Sequence, residues 1–249
     1  MGTDTFPGAA LEWMAPTGAG ELLAIGAVSV PMARRMLPDG QGFCLIDRTP
    51  DALARQHRRS PEVKVAAASA NALPFGAGTF SAVVVSNDLG DLDPDRAYRE
   101  IARVLVPGGR LVMHVTLRDD TVPWVRRLAA IMHRVDPSSM ADNAQLPLMR
   151  SLADSPYFLS VEHRDFRMWV PITRPELLIQ TGANERVASL DDTARGRVLN
   201  EVGQLYDSSA RAPEPLLLPY TVACWRAEVD QSEFSLPLRF FDDGFPISL

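Results

Sequence analysis

The sequence predicts an α/β fold with a largely parallel sheet, and three observations lead there. The stretch from Asn71 to Val115 reads as turn, buried strand, loop, amphipathic helix, glycine stop and second buried strand. Its first strand, Phe80 to Ser86, is a β-branched apolar run with polar ends, the pattern of a strand covered on both faces. The chain has 249 residues, enough for one α/β domain with insertions. In the helix after that strand, Asp93 or Asp95 can act as cap and Pro94 suits the first turn. Ala97, Ile101, Val104 and Leu105 recur at helical spacing, and Arg96, Arg99, Glu100 and Arg103 take the other face. Pro107-Gly108-Gly109 then ends the helix, and Arg110 to Val115 forms the next strand.

Three pieces of this stretch carry a family resemblance: Ala72-Leu-Pro-Phe75, Phe80-Ser-Ala-Val83 and Glu100-Ile-Ala-Arg-Val-Leu-Val-Pro-Gly-Gly109. In this order and spacing they resemble the core of class I S-adenosylmethionine (SAM) dependent methyltransferases. The nearest group is type 11, the small-molecule enzymes typified by ubiquinone and menaquinone biosynthesis. The resemblance runs over roughly residues 20–227. It implies a Rossmann-like class I methyltransferase fold, with a doubly wound, seven-stranded, mostly parallel sheet. It also implies a layout of a short N-terminal segment (1–20), a methyltransferase-like domain (21–228) with a variable lid insertion at about 136–157, and an apolar C-terminal tail (229–249). These pieces build scaffold more than cofactor pocket, so fold and activity are separate questions.

Residues 1–20 are rich in Gly, Pro and Thr, with Leu11 to Met14 as their apolar patch. Relatives carry a longer helical lid here. Glu21 to Gly26 is the first strand, followed by a helix from about Val30 to Leu37, with Ser29 as cap and Pro31 in the first turn. The resemblance places the cofactor loop between them. Its pattern is an acid late in the strand, then Gly-x-Gly-x-Gly, because the backbone must turn tightly and approach the ligand with no side chain between. In this register Ala24 stands at the acidic position, Gly26 at the first glycine, and Val28 and Val30 at the second and third. A β-branched residue at positive φ is a true outlier, so the loop is expected to take another path.

Gln41 to Asp47 is the second strand, and a helix follows from Arg48-Thr49-Pro50 to about Arg58. Asp47 matches the family's ribose-binding carboxylate, an acid about 20 residues beyond the loop; its alternative is a capping role. Glu62 to Ala67 is the third strand. The position of the family's adenine-contacting acid is Ser69, with Asn71 as a substitute donor or acceptor; ordinary loop is the alternative. The resemblance thus gives Gly26, Asp47, Ser69 and Asn71 as cofactor-binding candidates. After the fourth strand come Asn87, Asp88 and Asp91. Asp88 is placed to act as general base or to orient a substrate, or else to cap a helix or sit in a solvated loop. His114, near the end of the fifth strand, can serve as a base near neutral pH, or simply pack.

Residues 121–135 form an amphipathic helix, and 136–157 contain the Met- and Leu-rich insertion that suits an adaptable apolar pocket. Tyr157 to Val170 is strand-like, with alternating Phe158, Ser160 and Glu162. Thr173 caps the next helix. Thr181 to Arg186 is a turn before a helix ending near Tyr206, and Leu217 to Arg226 is the final strand. In the tail, Phe234, Leu236, Leu238 and Phe240 alternate, and Pro237 confines such a segment to an edge. So apolar a tail is expected to pack on its own body or on another chain.

The net charge of -6 is mixed along the chain, with no basic run beyond pairs such as Arg34-Arg35 and Arg58-Arg59, so no nucleic-acid footprint is indicated. Cys44 and Cys224 fall in predicted strands with no metal or redox spacing, so no metal site is expected. The start lacks a basic, apolar leader and no apolar run approaches the ~18 residues of a membrane span. A cytoplasmic protein is expected. A whole scaffold beside an altered cofactor loop favours a methyltransferase-fold protein of small-molecule (secondary metabolite or lipid-like) metabolism. Its role would be that of a non-catalytic or structural partner subunit, in a heterodimer with an active methyltransferase. Two alternatives stay open: an active SAM-dependent methyltransferase on a small apolar acceptor, and a SAM-independent tailoring enzyme such as a cyclase. SAM is the cofactor the resemblance implies; Ala24, Val28 and Val30 stand against it.

Overall fold

The computed structural model describes residues 6–16, 20–37, 42–86, 93–137, 146–211 and 215–232. Seven strands form one sheet: β1 (Leu22–Ile25), β2 (Cys44–Asp47), β3 (Lys64–Ala67), β4 (Phe80–Ser86), β5 (Leu105–Arg118), β6 (Phe158–Ile172) and β7 (Leu216–Val229). Their order is β3-β2-β1-β4-β5-β7-β6. β1 to β5 are mutually parallel, and β7 runs antiparallel to both β5 and β6. This is the doubly wound, mostly parallel sheet expected from the sequence.

The short central strands are apolar on both sides because both faces are covered. Leu22, Ala24, Ala82, Val84 and Val112 point into one core, with α1 (Gly8–Met14), α2 (Val30–Met36), α5 (Pro123–Val135), α7 (Arg174–Gly182) and α9 (Asp192–Ser209). Leu23, Ile25, Val83, Val85 and Met113 point into the other, with α4 (Pro94–Val104) and α6 (Leu146–Ser151). The remaining helices are α3 (Pro50–Arg59) and α8 (Glu185–Ala188).

Local chemistry explains the element ends. Asp93 caps α4, its Oδ1 accepting from the backbone N–H groups of Asp95 and Arg96. Thr173 and Glu176 form a reciprocal capping box on α7. The expected turn at 181–186 is narrower, because α7 extends to Gly182 and Asn184 caps α8.

Three expectations are corrected. α4 ends at Val104, before Pro107-Gly108-Gly109, because the backbone N–H groups of Gly78 and Thr79 take the carbonyls of Arg103 and Val104. The glycine pair instead makes a bulge inside β5: Leu105 pairs with Phe80, the register shifts, and Arg110 pairs with Ala82. Gly108 takes φ +73, and a Cβ on Gly109 would lie 2.8 Å from the Val106 carbonyl oxygen. In β6 the predicted alternation breaks at Ser160, whose φ of 50 accompanies a register shift between Leu159 and Glu162. Ser29 does not cap α2 with its side chain.

Candidate functional site

In this strand order the chain leaves β1 towards β2 on one side and β4 on the other, so the topological switch point lies between β1 and β4. Ligands of open α/β sheets bind at the carboxyl ends of the strands there. Gly26, just past β1, takes φ 80 and donates its N–H to the Ile46 carbonyl at 2.8 Å. Only glycine adopts that backbone without strain. Residues Ala27–Ser29 then form a 3-10 turn that runs straight into α2. No residue of the turn has positive φ, so Val28 and Val30 are accommodated by a changed path, as their β-branching requires. Val30 is buried against the core, whereas Val28 is 50% exposed on the turn. Ala24 is fully buried and leaves no carboxylate at this end of β1.

Asp47, at the end of β2, holds the loop. Its Oδ2 accepts from Ala27 N at 2.8 Å and its Oδ1 from Thr49 N at 2.7 Å. Each oxygen keeps a free lone pair, so the carboxylate is oriented and can still accept a ligand hydroxyl. Ser69 Oγ accepts from Asn71 N at 3.2 Å, and Ser69 bridges Ala72, which is local turn structure. Asn71 Oδ1 is buried without a partner among the described residues.

Ser29 ties the switch point together. Its hydroxyl donates to the Ile25 carbonyl at 2.6 Å and accepts from Ser86 N at 2.9 Å, joining the ends of β1 and β4. Ser86 in turn stands opposite His114 on β5. His114 is buried, and burial pushes its imidazole down to about 4, so it is neutral at pH 7. His114 Nδ1 and Ser86 Oγ have no hydrogen-bond partner among the described residues. Phe6 packs edge-on against the imidazole, with ring centroids 5.2 Å apart. Phe6 therefore covers His114, and α1 behind it is anchored on the sheet: it buries Ala10 and Met14, and the Arg226 guanidinium donates to the Trp13 carbonyl and lies 4.4 Å over its ring.

The structure thus brings together Gly26 and Asp47 on one side of the switch point and His114 on the other, with Ser69 and Asn71 at the end of β3. Asp88 lies outside the described residues, as does the tail beyond Ser232. Sequence reasoning missed Ser86 and Phe6 as neighbours of His114, and read Ser29 as a cap. A polar residue closing an apolar strand was a signal for Ser86; Phe6 carried none. Among the described residues no His, Cys, Asp and Glu cluster could hold a metal ion, and no helix is long and apolar enough to cross a membrane. Cys44 and Cys224 are buried thiols, and burial pushes the Cys224 thiol up to about 12.

Comparison with known proteins finds methyltransferases. Residues 23–113 match the methyltransferase domain family. An uncharacterised methyltransferase of Mycobacterium tuberculosis is 29% identical over 229 residues, 91% of this chain and 90% of that protein. The demethylmenaquinone methyltransferase of Beutenbergia cavernae is 37% identical over 87 residues, 34% of this chain and 35% of that enzyme. Among solved structures, a candidate type II methyltransferase from Anaeromyxobacter dehalogenans matches with a TM-score of 0.64 at 18% identity, over 90% of this chain and 96% of that one.

Proposed function

Because residues 23–113 belong to the methyltransferase domain family and the chain has the class I methyltransferase fold, we propose that it serves small-molecule metabolism as a non-catalytic partner subunit of an active methyltransferase. The observation that carries this reading is the first loop. At the second glycine position stands Val28, half-exposed on a 3-10 turn, and at the acidic position stands buried Ala24. The family's loop meets the methionine end of SAM with a second glycine and an acid late in the first strand, and Val28 and Ala24 stand at those two positions here. At the ribose end the residues do fit, through Asp47. We therefore assign no methyl-transfer step to this chain.

A second reading, an active methyltransferase on a small apolar acceptor, is favoured by the retained pair of Gly26 at positive φ and Asp47 bonded to the loop. In that case methyl transfer would rest mainly on alignment, and the buried, neutral His114 would meet an acceptor only with Phe6 displaced. Calorimetric titration with S-adenosylhomocysteine separates the two. The partner-subunit reading expects no binding by the lone chain and binding by a complex with a co-expressed methyltransferase. Micromolar binding by the lone chain would overturn it in favour of the enzyme. Restoring the loop with Ala24→Asp, Val28→Gly and Val30→Gly should create binding in the lone chain if the loop is the defect.

A further inference from the structure

The Met- and Leu-rich insertion meets the α4 face of the sheet at a cavity. Here α6 is held firmly. Met149 and the following Leu152 are fully buried, and Tyr98 Oη and Ser151 Oγ both donate to the Leu148 carbonyl. Opposite α6, β7 and β6 present Trp225 and His163 as a directly paired couple. Their rings stack with centroids 4.5 Å apart and planes 30° apart. His163 Nε2 lies 3.0 Å from Asp165 Oδ1, which fixes the imidazole and engages the carboxylate.

Between these walls lies a cavity of about 310 Å³. It is lined by the buried Trp225 and by apolar Leu146 and Val161. Arg150, on α6, reaches its rim. Arg150 has no hydrogen-bond or ion-pair partner among the described residues, and Asp165, the one carboxylate among the described lining residues, already accepts from His163 Nε2. The volume is at the small end of the range of ~300–1,000 Å³ usual for ligand sites. Apolar walls with one uncommitted guanidinium at the mouth match an apolar body ending in an anion.

We propose that this cavity binds a small amphipathic organic anion, an apolar chain or ring of about octanoate size whose acid group pairs with Arg150. The site is on β5–β7–β6, on the face of α4 and α6, and owes nothing to the SAM loop. It is independent of the partner-subunit reading.

The test is a calorimetric titration of the full chain with octanoate, 1-octanol and octylammonium. These probes share an apolar chain and differ in charge. Octanoate is expected to bind about tenfold or more tightly than 1-octanol, the gain of one charge-assisted pair. Arg150→Gln should bring octanoate down to the level of 1-octanol without changing the alcohol. Ala153→Trp, at an exposed cavity residue, should abolish binding of both by filling the space. Both substitutions are at exposed positions, so circular dichroism should show an unchanged fold. No octanoate binding, a preference for octylammonium, or octanoate binding unaffected by either variant would overturn the proposal. Because the titration uses neither SAM nor a second chain, its failure would leave the reading of the first loop where it stands.

Discussion

Replacing Arg103 by methionine should destabilise the fold far more than its partly exposed position suggests. The guanidinium donates four hydrogen bonds: Nε and Nη2 to the two Glu100 oxygens at 2.8 Å, Nη1 to the Phe75 carbonyl at 2.8 Å, and Nη2 to the Leu73 carbonyl at 3.0 Å. Glu100 Oε2 also accepts from Leu73 N at 2.8 Å. The two carbonyl bonds are worth about 1 kcal/mol each, since water replaces them only in part. The Glu100 pair, an i,i+3 pair with side chains 28% and 22% exposed, adds a few tenths. The sum is about 2–3 kcal/mol, or roughly 5–10 °C in Tm for a domain of this size. The matched control is Arg96→Met, because Arg96 is 76% exposed and only 3.5 Å from Asp93; it should cost less than ~0.5 kcal/mol. Urea unfolding at equal m-values measures both. The pair also sets an acid limit. Arg103 holds the Glu100 carboxyl below its usual value, so its contribution is complete above the unfolded pKa near ~4.3 and disappears as pH falls through the lower folded value. Arg103→Met should shrink that acid-side loss. A cost within ~0.5 kcal/mol of the Arg96 control, or an unchanged acid-side slope, would refute the clamp.

Other outcomes follow from the switch point. His114 has its folded pKa pushed down to about 4, so the unfolded state binds the extra proton first as pH falls from ~6.5. Stability should therefore drop between those limits by about 3 kcal/mol more in the wild type than in His114→Phe; a pH-independent difference would argue against a buried neutral imidazole. Phe6→Ala should admit water to His114 and move its pKa up towards ~6.5. A proton NMR titration of the ring would read this, and an unmoved pKa would mean that Phe6 does not shield it. Ser29→Ala leaves Ser86 N buried without its acceptor and should cost about 1–3 kcal/mol in urea unfolding. A neutral result would remove Ser29 as the tie between β1 and β4.

Much of the fold could be read along the chain because its signals are local. The runs Leu22–Ile25, Cys44–Asp47 and Phe80–Ser86 are short, apolar and bounded by polar or turn residues, which is enough to place them in a buried parallel sheet. Asp47 and Gly26 were legible for the same reason, since each sits at the end of such a run. The bulges were not. A Pro-Gly-Gly run can either stop a helix or bulge a strand, and only the pairing of Leu105 with Phe80 decides that Gly108-Gly109 does the second. Nor was the setting of His114 legible. It is made by Phe6, Ser29, Ser86 and His114, which come from four separate parts of the chain and meet only when α1, β1, β4 and β5 are in place.

The same division explains why the family is easier to recognise than the activity. The recognisable pieces around Leu73, Phe75, Phe80, Glu100 and Arg103 hold one another. Arg103 and Glu100 clamp the Leu73–Phe75 turn, Phe75 meets Phe80 edge-on at 4.9 Å, and Gly78 and Thr79 close the end of α4. They gather towards the opening of β4, whereas Gly26, Asp47 and Ser86 lie where their strands end, with His114 level with Ser86 inside β5. Nothing in the clamp touches the first loop, whose own bonds are the Gly26–Ile46 and Ala27–Asp47 pairs and the Ser29 tie. Valines can therefore replace glycines in that loop while the rest of the sheet keeps its geometry. The strongest sequence match then tests the scaffold, and the chemistry has to be tested at Val28 and Asp47.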